Sequence, residues 1–299
     1  MNFTHLFAFR EVARAGSISA GAERLRVSQP AVTREIRELE ERIGLVLFDR
    51  LPRGVALTEA GRLLFGHAEK IFTLADIAES QLNELAGLDA GHLHIGASAT
   101  LGVYLVPELI ARFSDSHPKV TIDLTVTNTE SVEAGLRELK FAVGFVEGPF
   151  DASVLHACPI GQDEIAVIAA SDHPLIDTRL QATDLVDKAV VMREPGSGTR
   201  AIVEDAYANR GLSIQPLMSV SDTEAIKRML RVSRTLAYLS VLSVRDELAR
   251  DELRAIEVES MRIDRQLHMV WLKERTLSPS ARAFTEFAAL RHACVEAAL

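Results

Sequence analysis

The chain has 299 residues, of which 47% are hydrophobic and 25% charged, with a net charge of −9. That composition describes a globular protein with apolar material for two or three cores, and it excludes a disordered or collagen-like chain. No apolar run approaches the roughly 18 residues needed to span a bilayer, and the charged N-terminus lacks the core of a signal peptide, so a cytoplasmic protein is expected. Cys158 and Cys294 stand far apart, which reads as two buried free thiols rather than a disulfide framework.

The charge is unevenly placed. Residues 1–66 carry a net charge of +2 and the remaining 233 carry −11. In the basic segment, Thr4 is positioned to cap a first helix whose Leu6, Phe9 and Ala13 recur at spacings of three and four, up to Gly16. Ser17 caps a second helix, to about Arg26, that turns Ala22 and Leu25 inward. Ser28 caps a third, with Pro30 near its start, where a missing N–H costs nothing. Val32, Ile36, Leu39 and Ile43 form the buried stripe of this third helix, and Gln29, Thr33, Arg34 and Arg37 lie opposite. Gln suits adenine in a major groove and Arg suits guanine or phosphate, although the same face also reads as the solvated side of an amphipathic helix. Pro52 to Gly54 then turns a short hairpin, or wing, whose Arg50 and Arg53 are placed to reach phosphates.

The run GSISAGAERLRVSQPAVTREIRELEERIGLVLFDRLPRGVALTEAG resembles the winged helix-turn-helix of LysR-type transcriptional regulators, with SQPAV, LF and LTEAG the most specific parts. Gly21 departs from the Ala usual there, at about 1 kcal/mol of helix propensity. The expected DNA-contacting residues are Ser17, Ser28, Gln29, Pro30, Thr33, Arg34, Arg37, Arg50 and Arg53.

Next come Leu57, Gly61, Leu64, Ala68, Ile71, Ala75, Ala78, Leu82 and Leu85 at alternating spacings of four and three, the pattern of a coiled-coil seam. A helix over 58–86 would be roughly 40 Å long. It reads either as a helix packed on its own domain or, as the resemblance implies, as a dimerising linker. GLDAG, residues 87–91, reads as a hinge.

The remainder alternates strands and helices: HLHIGAS, a helix from Leu101 to Phe113, VTIDLTV, a helix after Thr129, FAVGFVEG, EIAVIAA, AVVM, LMSV, LAYLS and QLHMVWL. Parallel sheets covered on both faces are predicted. The resemblance implies an α/β effector domain like periplasmic binding proteins. It would be divided into subdomains at 92–161 with 265–299, and 162–264, behind a DNA-binding domain at 1–57.

Ligands on such folds bind where strand ends meet helix N-termini across the cleft. GASATLG offers Ser98 and Thr100, TNTES offers Thr127 and Thr129, and REPGSGTR offers Gly196, Ser197, Gly198 and Thr199, flanked by Arg193 and Arg200. Amides at helix starts and a guanidinium favour a small anion, while each hydroxyl taken singly reads equally as a helix cap. REPGSGTR lacks a P-loop Lys, and it resembles LysR-type regulators linked to carbon fixation and sulfur assimilation. That likeness implies sugar phosphates, nucleotides or sulfur oxyanions as effectors. Glu147 is placed either to accept a hydrogen bond from the effector or to pair with an Arg across the cleft; Ser221 and Ser240 are further cleft candidates.

His92 and His94 share a strand face, as metal ligands do, yet no third donor stands nearby in a metal-binding spacing, so no metal or cofactor is expected. No catalytic constellation can be assigned. The sequence reads as a homodimer, assembled into a homotetramer, on an inverted-repeat DNA operator, with an anionic effector. The competing readings are an enzyme using REPGSGTR for a phosphate group, and a binding protein without DNA.

Overall fold

The structure is a computed structural model that describes residues 2–86 and 91–296, and it divides into two compact units, Met1–Leu82 and Asn83–Leu299. Most of the expected hinge and the side chain of Cys294 lie outside the described residues.

In the first unit, α1 (Phe3–Ala15) is capped by Asn2, whose side chain accepts from the Thr4 amide, so the cap lies two residues before the expected Thr4. Gly16, at φ 66°, turns the chain out. Ser17 accepts from the Ala20 amide at 3.2 Å and opens α2 (Ile18–Leu25). Here Gly21 is explained: a Cβ would lie 2.5 Å from Val12 Cγ2 and 2.9 Å from Val12 Cα, so Gly lets α2 press against α1. In α3 (Gln29–Ile43), Val32, Ile36 and Leu39 are buried, but Ile43 is 37% exposed. It occupies the last position before the Gly44 cap, past the core that receives the other three. The wing pairs β1 (Phe48–Arg50) with β2 (Val55–Leu57), and the Val55 amide bonds the Gly16 carbonyl at 2.9 Å.

The linker α4 (Glu59–Leu85) is rooted in this unit. Thr58 donates to the Val46 carbonyl at 2.8 Å and accepts from the Gly61 amide at 2.9 Å. Arg14 holds Glu69 at 2.6 Å, and Arg10 lies 4.5 Å from the Phe72 ring centroid. The apolar seam is therefore divided. Leu64, Ala68 and Ile71 pack into the core around Leu6, Phe9 and Leu39, whereas Ala75, Ala78, Leu82 and Leu85 are exposed. A seam available to a partner along its whole length is corrected to its distal half. A heptad pattern records an apolar stripe and not who covers it.

The second unit runs β3 (His92–Ser98), α5 (Ala99–Tyr104), α6 (Val106–Ser116), β4 (Thr121–Thr127), α7 (Thr129–Arg137), β5 (Val143–Glu147), β6 (Leu155–Ala170) and α8 (Ala182–Val186). It continues with β7 (Val190–Met192), α9 (Gly198–Ala208), β8 (Met218–Ser219), α10 (Thr223–Leu230), β9 (Leu236–Ser240), α11 (Val241–Ala249), β10 (Leu253–Ile256), β11 (Ile263–Leu272) and α12 (Pro279–Glu296). The strands lie in the order β4-β3-β5-β11-β6-β9-β7-β8, with β10 on β6. One core gathers Leu93, Ile95, Phe113, Phe145, Met269 and Phe284, and another gathers Val167, Val190, Val203, Tyr207, Leu236 and Tyr238.

Three expectations change here. The helix foreseen from Leu101 to Phe113 is two, broken at Leu105 (φ −131°, ψ −52°), because Pro107 has no amide to continue a helix from α5. The sheet is mixed: β3, β4 and β5 are parallel, but β11 runs antiparallel to β5 and β6. And β6 spans 16 residues, far beyond EIAVIAA, because Pro159 and Gly161 flank a register shift opposite Leu267 and His268 instead of ending the strand. Cys158, on β6, is half-buried rather than buried. At one edge of the sheet, β4 sets Asp123 opposite His94.

Candidate functional site

The outer face of α3 presents Ser28, Gln29, Pro30, Arg34 and Arg37 to solvent, with Thr33 half-buried. The Thr33 hydroxyl bonds the Gln29 carbonyl at 2.9 Å, and Ser19 donates to the Gln29 side chain at 3.1 Å, which orients the amide at the helix start. Ser28 is the N-cap but makes no side-chain cap bond, whereas the Ser17 hydroxyl is committed to its own helix. Arg34 and Arg37 make only exposed pairs with Glu38 (3.5 Å) and Glu41 (2.8 Å), weak enough for phosphate to displace. Arg50 and Arg53 are exposed on the wing.

The second unit builds a buried polar cluster where its strand ends meet. Arg265, on β11, faces Asp163 on β6 in register and binds its carboxylate at 2.6 and 2.8 Å. The same guanidinium donates to Thr199 at 2.8 Å and to Thr100 at 3.3 Å, and lies 3.7 Å from Glu147. Ser98 donates to Glu147, Thr129 donates to the Glu147 carbonyl at 3.0 Å, and Ser240 donates to Asp163 at 2.7 Å. Gly198 closes the cluster: a Cβ there would stand 1.7 Å from the Glu147 carbonyl oxygen, so only glycine allows α9 to approach β5 this closely.

Two cavities flank the cluster. One, of about 480 Å³, is lined by Ala99, Thr127, Asn128, Arg193, Ser221 and Thr223 among others. Arg193, 3% exposed, is held there by Glu194 at 2.8 Å and Thr223 at 3.2 Å. Tyr104 donates to Glu224 at 2.5 Å between residues lining the same cavity. Burial pushes the Tyr104 hydroxyl up to about 12, and Glu224 adds to the rise. The other cavity, of about 370 Å³, is lined by Thr129, Glu130, Arg137, Gly196, Ser197 and Gly198.

Residues 3–62 match the model of the bacterial regulatory helix-turn-helix protein, lysR family, and residues 86–292 match the LysR substrate binding domain. The chain belongs to the LysR family. It is a DNA-binding transcriptional regulator with an effector-binding domain. The RuBisCO operon transcriptional regulator of Allochromatium vinosum is 35% identical to it over 288 residues, covering 96% of this chain and 95% of that one. The crystal structure of CbnR, a LysR family transcriptional regulator, shares the fold with a TM-score of 0.70 at 23% identity, over 98% of this chain and 99% of that one. The regulatory domain of Synechocystis PCC6803 CcmR, in complex with 2-PG, is 26% identical with a TM-score of 0.62 and covers 67% of this chain and 97% of that one.

Within this LysR-type regulator the residues singled out from the cleft sequences fall into three groups. Ser98, Thr100, Glu147, Thr199 and Ser240 join the buried cluster. Thr127, Arg193 and Ser221 line the larger cavity; Gly196 and Ser197 line the smaller one, together with Thr129 and Gly198, which also belong to the cluster. Arg200 lies in neither: it pairs with Glu204 at 2.7 Å and bonds the Arg193 carbonyl at 3.2 Å. Ser98 and Ser197 stand at the N-cap positions of α5 and α9 but make no side-chain cap bond, and Asn128 rather than Thr129 caps α7. Of the alternatives for Glu147, the arginine partner is present, and it is Arg265. Sequence reasoning missed Arg265 and Asp163. Their signal was their place beside Asp264 and Gly161, where the chain crosses between cores.

Burial pushes the Glu147 carboxyl up from its usual range, against the opposing pull of Arg265 and Ser98. Its contribution to stability is therefore full in acid and is lost as pH rises through the higher folded value. Glu147→Gln keeps an acceptor for Ser98 and removes that loss, so its Tm relative to the wild type is expected to climb as pH rises above the ordinary glutamate range in parallel melting curves. A difference that does not change with pH would contradict the assignment.

Proposed function

We propose that this regulator works as a cytoplasmic homodimer, assembled into a tetramer of two dimers, on an inverted-repeat operator. A small anionic effector binds between the two cores of its effector domain. The DNA-binding domain is 1–57, the linker 58–86 and the hinge 87–91, and the two effector subdomains are 92–161 with 265–299, and 162–264. The observation that carries the effector reading is Arg193: a buried guanidinium on the wall of the larger cavity, held by Glu194, a side chain of the same wall. An incoming anion can take over from Glu194 without burying a new charge alone. Glu147 and Asp163, which would repel an anion, are already tied to Arg265. The 2-PG bound to the CcmR domain supports an anion of that size. Among the described residues no helix is long and apolar enough to cross a membrane.

A binding protein fits better than an enzyme. The hydroxyls of Ser98, Thr100, Thr129, Thr199 and Ser240 are bonded to carboxylates, a guanidinium or a carbonyl, none to an imidazole that would activate it as a nucleophile.

Two measurements test the proposal. By fluorescence anisotropy across salt concentrations, Arg34→Ala is expected to lose about 1–3 kcal/mol on the operator only, and Arg53→Ala to weaken all duplexes and flatten the salt slope. In a thermal-shift screen of small phosphates and sulfur oxyanions, the true effector at 100 times its Kd adds about 2.7 kcal/mol, and Arg193→Ala abolishes that shift. Unchanged DNA binding in both variants, or an anion shift indifferent to Arg193, would defeat the corresponding half.

A further inference from the structure

We propose that His92, His94 and Asp123 form a binding site for a divalent transition cation of the zinc type on the exposed face of β3 and β4. The residue missing from the sequence spacing is supplied by strand pairing: β3 and β4 are parallel, with His92 opposite Thr121 and His94 opposite Asp123. Three donor atoms converge. His92 Nε2 and His94 Nε2 are 2.7 Å apart, and Asp123 Oδ2 lies 2.8 Å from His94 Nε2 and 3.3 Å from His92 Nε2. Around a tetrahedral zinc with bonds of about 2.0–2.1 Å, donors stand about 3.3 Å apart, so the triangle needs to open by about half an ångström at two edges, within reach of small χ rotations of exposed side chains.

A fourth contact prepares the site. His92 Nδ1 lies 2.8 Å from the Thr121 hydroxyl, and a proton donated there leaves the Nε2 lone pair facing the other two donors. All three ligand side chains are about half exposed or more, at 45%, 48% and 65%, which leaves a path for the ion and room for water in the fourth position. Two imidazole nitrogens with one carboxylate suit zinc, cobalt, nickel or copper, and suit magnesium or calcium poorly, because those ions prefer oxygen. The site lies at the edge of the sheet, since β4 is the terminal strand. A bound ion would fasten this edge strand to β3, the first strand of the effector domain.

The test is a Co2+ titration of the tag-free full chain by visible absorption, with Zn2+ competing and Mg2+ as control. The wild type is expected to develop a tetrahedral cobalt spectrum at one equivalent, displaced by Zn2+ and not by Mg2+. His94→Ala and Asp123→Asn should each weaken Co2+ and Zn2+ binding at least 10-fold, and Thr121→Val by a smaller factor. These positions are on the surface, so melting curves of the metal-free variants should match the wild type. A cobalt spectrum retained at equal affinity in His94→Ala and Asp123→Asn places the ion on other histidines and overturns the proposal, as does a wild type that binds no Co2+ at all. Operator and anion binding are read by separate assays on other residues, so this failure would leave the regulatory reading standing.

Discussion

Replacing Arg265 by methionine is expected to cost the effector domain about 3–5 kcal/mol, because it strands two buried carboxylates at once. Asp163 loses its closest cation, Glu147 loses the guanidinium 3.7 Å away, and Thr100 and Thr199 lose a donor. Urea unfolding gives a local readout, since the only tryptophan, Trp271, lies on the same strand as Arg265. The double variant Arg265→Met, Asp163→Asn should recover part of the loss: the asparagine oxygen can still accept from the Leu242 amide, and its NH2 can donate to the Ser240 hydroxyl oxygen, without carrying a charge. A single variant within about 1 kcal/mol of the wild type would mean that water already reaches these carboxylates and that the cluster is not what joins the two halves.

Ala68→Asp and Leu82→Asp, two charges on one apolar seam, are expected to fail in different ways. Ala68 is fully buried in the first unit's core, so a carboxylate there has no partner and should cost several kcal/mol. The expected result is loss of operator binding with partial loss of helical circular dichroism. Leu82 is 66% exposed, and Leu82→Asp should fold normally while shifting sedimentation velocity from dimer towards monomer. An Ala68→Asp chain that still folds and binds operator would remove the proximal seam from the core; a Leu82→Asp chain that remains dimeric would place the partner elsewhere.

The parts of the fold that could be read from the sequence are those set by neighbours in the chain. The α3 stripe follows from residues three and four apart, and Gly16 marks a helix end through left-handed backbone geometry that glycine adopts at the least cost. The parts that could not be read depend on residues far along the chain. Pro159 and Gly161 look like strand breakers until pairing with β11 turns them into the flanks of a bulge in β6, with Ile160 the extra residue. Glu147 announces a need for a cation, but nothing local points to Arg265, more than a hundred residues later. His92 and His94 lacked a third donor only because Asp123 arrives by strand register, and the seam of α4 gave no sign of where its own domain stops covering it.

The rooting of α4 has a mechanical meaning. With Thr58, Glu69 and Phe72 each tied to α1 or to the segment leading into the wing, the proximal turns and the DNA-reading helices move as one body, and the 27-residue helix is a stiff arm about 40 Å long. Tilting such an arm by about 5° displaces its far end by about 3.5 Å, close to the rise of one base pair. A change of a few degrees in such an arm thus becomes a displacement on the scale of a single base step, with no rearrangement inside the helix itself.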